Sequence, residues 1–209
     1  MTGSTKMIEN YLNELFPNPK CELNFNKDYE LLIATMLSAQ TTDKIVNSVT
    51  DILFKKYPST KALSTAKIED IEKIIRPIGT YRKKALNTIL IAKRLEEDYQ
   101  GKVPNNREYL EKLPGVGRKT TNVVLSIIYQ VPCIAVDTHV ARVSKRLNLA
   151  KEKDDPLTIE KKLTKLFPLK YLNKLHQQLV LFGRYYCTAR NPKCDTCKLK
   201  SICKYYKDH

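Results

Sequence analysis

The 209-residue chain has no tryptophan and only five phenylalanines, so stacked aromatic platforms for single-stranded nucleic acid are not its theme. No apolar run approaches the roughly 18 residues that a bilayer-spanning helix needs, which leaves no membrane partner to expect. The opening stretch, MTGSTKMIENYLNELF, has neither a secretory apolar core nor an arginine-rich, acid-poor transit pattern. A cytoplasmic location follows, where six cysteines are poor disulfide candidates. Sustained period-2 alternation is missing, as are hairpin dipeptides between strand-like runs, internal repeats, low-complexity linkers and long charged tails. These absences remove the sheet-based classes.

Helical periodicity fills the chain instead. Ile8, Tyr11, Leu12, Leu15 and Phe16 follow the i, i+3, i+4, i+7, i+8 spacing until Pro17. Ile45, Val49, Ile52 and Leu53 repeat it before Pro58, and Ile159, Leu163, Leu166 and Phe167 before Pro168. Leu172, Leu175, Leu179 and Phe182 follow that proline. The segment ELLIATMLSA, Glu30 to Ala39, is apolar on nearly every face and predicts a helix buried all round. An all-α protein of around ten short helices is expected. Its 37 Lys+Arg against 22 Asp+Glu give a net charge of +15 and a pI near 9.5. An excess of that size points to a polyanion, nucleic acid before membrane surface; the alternative is a lysine-rich composition that serves solubility alone.

Four of the six cysteines crowd one stretch, CTARNPKCDTCKLKSIC, with the spacing Cys187-x6-Cys194-x2-Cys197-x5-Cys203. Thiolates at that density suit zinc or an iron–sulfur cluster. Zinc sites usually show two close pairs, and the single CxxC flanked by lone cysteines leans toward [4Fe–4S]. Arg190, Lys193, Lys198 and Lys200 would offset the negative charge of such a centre or meet phosphates. Cys21 and Cys133 stand alone and read as small core residues.

LPGVGRKTTNVV, Leu113 to Val124, sets two glycines one residue apart before a helical run. Gly115 and Gly117 permit positive φ and close backbone approach, and the amides of Gly115, Val116, Gly117 and Arg118 at a helix start form an anion site. A tight turn between two helices is the alternative. The four-residue spacer of a Walker loop is missing, which argues against nucleotide hydrolysis. Lys119 sits at the start of the next helix, where the dipole disfavours a cation.

LPGVGRKTTNVV, followed by IAVDTHVARVSKRL and the cysteine tail, and preceded by LLIATMLSAQTTD and IRPIGTYRKKA, resembles the endonuclease III family of helix–hairpin–helix DNA glycosylases over nearly the whole chain. The resemblance implies two helical lobes flanking a DNA-binding cleft. One is a helical barrel over 22–132 with the helix–hairpin–helix at about 107–129; the other joins 1–21 to 133–209 and holds a [4Fe–4S] cluster in loop 187–203. It implies a base-excision-repair DNA glycosylase with AP lyase activity, which removes oxidised pyrimidines from duplex DNA through a lysine Schiff base and cuts the strand 3′ to the site by β-elimination. Lys119 would be the nucleophile, its ammonium form disfavoured by the helix end, partial burial and basic neighbours. Asp137 would be the catalytic carboxylate, or else only an N-cap. Gln40 would enter the duplex when the damaged nucleotide leaves the stack, its alternative being a polar end to a buried helix. Ser38, Asp43, Glu111 and His139 would flank the damage pocket. The partner implied is double-stranded DNA with damaged pyrimidines or abasic sites, met by a monomeric, nucleoid-associated enzyme.

Thr80 departs from the family, which usually has a bulky leucine wedge between the Gly and Tyr of IGxY; a shorter polar side chain fills less of a vacated stack. The chain ends soon after the cysteines, without room for the extra recognition domain of adenine-mismatch enzymes. Three other readings stand beside this one: a monofunctional glycosylase, a metal-dependent DNA-binding protein without catalysis, and an iron–sulfur redox carrier.

Overall fold

The computed structural model describes residues 3–208, and every regular element among them is helical. Twelve α-helices and two 3₁₀ turns are present among those residues, rather than about ten helices, because one-turn helices leave no periodic signature. The chain divides into two compact units, Cys21–Tyr129 and a discontinuous unit of Met1–Lys20 with Gln130–His209.

α1 (Gly3–Leu15) opens the discontinuous unit, and the continuous unit follows. The latter holds α2 (Asp28–Leu37), α3 (Asp43–Lys56), α4 (Thr60–Ser64), α5 (Ile68–Ile75), α6 (Tyr81–Tyr99), α7 (Arg107–Glu111) and α8 (Arg118–Ile128). α2 is its centre: every residue from Tyr29 to Leu37 is buried, as the absence of a polar face requires. Glu30 is buried too, but its Oε2 accepts the N–H groups of Asn26 at 2.6 Å and Lys27 at 3.2 Å, satisfying donors that precede the helix. α8, α6 and α3 pack on α2, while α4 and α5 pack on α6.

The discontinuous unit adds α9 (Thr138–Arg146), α10 (Pro156–Leu166), α11 (Leu172–Tyr185) and the single-turn α12 (Lys204–Asp208). Asp155 caps α10 by accepting from Thr158 N–H at 2.8 Å, with Pro156 in the first turn, where its missing N–H costs nothing. Ile8 and Leu12 of α1, Val140 and Val143 of α9, and Leu175 and Leu179 of α11 share one core. Leu199 and Cys203 of the cysteine loop belong to that core as well. The sequence therefore anchors this loop by burial rather than leaving it on the surface. A buried Gln178 ties α11 to the end of α1, its Nε2 donating to Asn13 Oδ1 and Phe16 O.

Candidate active site and thiol centre

α7 ends at Glu111 and α8 begins at Arg118, and the turn between them needs glycine at one position above all. Gly115 has φ +77°, and a Cβ there would lie 2.5 Å from Asn87 Nδ2 and 3.3 Å from Met36 Cγ. Gly117 differs from expectation: its φ is −108°, an ordinary extended value, and a Cβ would meet nothing within 4 Å. Its positive-φ freedom is unused, because the turn is already made at Gly115. Val116 is buried at 4% exposure and its N–H closes the turn onto Leu113 O at 3.1 Å, so its side chain faces the core.

Lys119 is the second residue of α8, after exposed Arg118. It is exposed, so the expected partial burial is absent: the side chain leaves the first helical turn on its solvent side, while Thr120 to Ser126 supply the buried face. What the placement supplies is the helix N-terminus and Arg118 beside it.

Asp137, in the other unit, is half-buried and caps α9, its Oδ1 accepting from Val140 N–H at 2.8 Å. His139 is half-buried on the same helix, with Nδ1 3.2 Å from an Arg142 guanidinium nitrogen. Burial pushes its pKa below the ordinary imidazole value, with Arg142 and Arg184 adding to the effect and Asp137 opposing it.

Gln40 at φ 57° and Thr80 at φ 56° are exposed and hold left-handed backbones, as Gln100 does at the end of α6. For a β-branched residue this conformation is unusual, and the Thr80 hydroxyl turns back to donate to Gly79 O at 2.7 Å. Ser38 ends α2 with its hydroxyl donating to Thr35 O at 2.8 Å. Asp43 is half-buried in the first turn of α3. Exposed Glu111 pairs with Arg107 at 3.0 Å, whose other nitrogen donates to buried Asn122 at 2.7 Å. Ser38, Gln40 and Asp43 thus share one inter-helix turn, whereas Glu111 lies at the hairpin and His139 in the other unit.

Cys187, Cys194, Cys197 and Cys203 line one pocket with Phe182 and Tyr205. Burial pushes the thiols of Cys187 and Cys197 up, and at Cys197 the other three sulfurs add to the effect. At the same time, no three His, Cys, Asp or Glu side chains among the described residues converge to hold a metal ion. Arg146 holds the loop, donating from Nη1 to Thr188 O at 2.7 Å and lying 3.4 Å from Cys187 Sγ, with its guanidinium 4.0 Å over the Tyr205 ring. Sequence reasoning missed this arginine; its signal is the i, i+4 pair Arg142 and Arg146 on the α9 face that meets the loop.

Residues 33–169 match the HhH-GPD superfamily of base excision DNA repair proteins, and residues 187–203 match the iron–sulfur binding domain of endonuclease III. Endonuclease III of Bacillus subtilis is 46% identical over 92% of this chain and 88% of its own length; that of Haemophilus influenzae is 44% identical over 97% of each. The chain belongs to the endonuclease III family. A solved structure of a trapped endonuclease III–DNA covalent intermediate aligns with a TM-score of 0.93 at 43% identity, covering 100% of this chain and 99% of that one. A thermostable thymine-DNA glycosylase aligns at 0.86 and 24% identity, a likeness of fold.

The endonuclease III family carries an iron–sulfur cluster, and this chain's thiols fit one. Four soft thiol donors lining one pocket match the donor set of such a centre. The cations nearby are largely engaged within the chain: Lys198 with Glu14, Lys193 4.9 Å over the Tyr186 ring, and Lys200 donating to Asp195 O at 2.7 Å. No helix among the described residues is long and apolar enough to cross a membrane.

Proposed function

We propose that this base-excision repair enzyme removes oxidised pyrimidines from duplex DNA with Lys119 as nucleophile, and then cuts the strand as an AP lyase. The observation that carries the reading is a lysine in the first turn of α8, two residues beyond the hairpin's last glycine, Gly117, which caps that helix. The neutral Lys119 amine attacks C1′ of an extruded nucleotide; the base departs with the electron pair of the glycosidic bond and takes up a proton. Ring opening gives a Schiff base between Nζ and C1′. Loss of a C2′ proton then expels the 3′ phosphate by β-elimination, and hydrolysis of the imine frees the lysine.

Asp137 is proposed to stabilise the positive charge that develops on the sugar and to relay protons; its cap bond to Val140 fixes one oxygen and leaves the other for this task. Extruding a nucleotide costs on the order of a few kcal/mol. Gln40 is proposed to fill the vacated stack, with Thr80 as a shorter wedge. The amides of Gly115, Gly117 and Arg118 are proposed to meet a phosphate, which the open space at Gly117 leaves room to approach, while the Val116 N–H is spent on Leu113 O and only shapes the turn. Ser38, Asp43, Glu111 and His139 are proposed to flank the reacting nucleotide. The cluster in Cys187, Cys194, Cys197 and Cys203, proposed as [4Fe–4S], organises the loop and supplies no step of base removal. The enzyme is proposed to act as a monomer.

Product analysis tests this. A duplex with one oxidised pyrimidine should yield free base and a strand break with the native enzyme. Lys119→Ala should bind the duplex normally and yield neither. Base release without a break from the native enzyme would point to a monofunctional glycosylase and overturn the proposal.

A further inference from the structure

Lys84 of α6 is buried at 6% exposure, unusual for a residue whose charge is costly to desolvate. Its Nζ donates to Leu37 O at 2.9 Å and Ala39 O at 2.7 Å. Leu37 closes α2, so the ammonium caps carbonyls that the helix itself leaves without partners. Ala39 immediately precedes Gln40 and its left-handed turn. The main-chain N–H of Lys84 meanwhile donates to Thr80 O at 3.1 Å. One residue therefore holds two exposed left-handed turns of this unit, Gln40 and Thr80, by its side chain at one end and its backbone at the other. Three residues further on, Asn87 lies against Gly115 of the hairpin, so a single face of α6 meets all three turns.

An apolar side chain of similar length would fill the same volume without the desolvation penalty. It would leave the Gln40 turn without its anchor. Burial also holds the pKa of Lys84 below the ordinary lysine value, the sign of a charge kept at a cost.

We propose that Lys84 is a positioning residue for DNA interrogation, its ammonium setting the Gln40 turn at a fixed place relative to Thr80 so that both reach the duplex together. The inference rests on the reading that Gln40 and Thr80 face DNA.

A double-mutant cycle on the cluster-loaded enzyme tests it, using Lys84→Met, Gln40→Ala and the double variant. The readout is single-turnover excision of one oxidised pyrimidine, with unfolding temperature measured alongside. Each single variant should slow excision by about tenfold, and the double variant should be no slower than the slower single, because both disable one device. Lys84→Met should melt no lower than the native enzyme. Multiplying effects, or native excision by Lys84→Met while Gln40→Ala is slow, would overturn the inference and leave the reading of Gln40 intact. Native excision by Gln40→Ala would remove that reading and the inference with it. Should Lys84→Met fail to fold, Lys84→Gln takes its place in the cycle with the same outcomes, and Lys84→Arg, which keeps the charge, should excise faster than either.

Discussion

Asp137 serves structure and chemistry through one carboxylate, and substitution separates the two. Asparagine is as good an N-cap as aspartate, so Asp137→Asn should leave stability nearly unchanged while lowering excision by roughly 10²- to 10⁴-fold. Asp137→Ala should lose activity and also about 1 kcal/mol of stability through the missing cap. Denaturant unfolding beside single-turnover kinetics checks both; native activity in Asp137→Asn would reduce the residue to its cap. The two hairpin glycines split in the same way. Gly115→Ala forces a Cβ into a left-handed backbone, about 1–2 kcal/mol, and into Asn87, so unfolding should register it clearly. Gly117→Ala has open space and should cost no more than about 1 kcal/mol as a cap change, yet weaken DNA binding if a phosphate approaches there. The type and order of these residues were legible in the sequence. Their roles in the turn were not, because only coordinates tell which of two glycines flanking Val116 bears the strain.

Helices were the most legible level. Pro17, Pro58 and Pro168 stop the runs that end in α1, α3 and α10, and the all-apolar segment became the buried α2. Lys84 was illegible for a physical reason: a lysine on a charged helix reads as solvated, and its burial depends on α2 ending nearby. The meeting of α9 and α11 was hidden as well. A Cβ on Gly183 would lie 2.8 Å from His139 Cβ, so Gly183→Ala should destabilise by about 1–3 kcal/mol through overpacking. His139 adds a pH dependence. Its folded pKa lies below the ordinary 6.5, so the unfolded chain binds the proton more readily, and stability falls as pH drops below 6.5 until the folded pKa is reached. His139→Gln should flatten that slope between pH 7.5 and 5.5; an unchanged slope would assign it to other groups.

At the scale of the whole molecule, a charge of +15 was the first sign of a polyanionic partner. DNA affinity should fall with log[salt] at a slope of about 0.9 per phosphate neutralised, and a flat response would contradict a basic DNA face. The thiol centre also has consequences beyond its loop. Leu199 and Cys203 are part of the core that includes α1, α9 and α11, so removal of the cluster by a chelator should loosen that core and lower the melting temperature. An unchanged melting curve would make the loop a passenger. Charge, cysteine spacing and family resemblance could be read from one dimension; the loop's weld to the core could not, since it joins residues from both ends of the chain.

The central claim is that Lys119 forms a covalent bond with the sugar. Borohydride reduction during turnover of a duplex with one oxidised pyrimidine tests it most directly, native enzyme against Lys119→Ala. A protein–DNA adduct that appears only when the lysine is present, and maps to its peptide, is the predicted result. No adduct from a native enzyme that binds the duplex and retains its cluster, or an adduct that persists in Lys119→Ala, would contradict it.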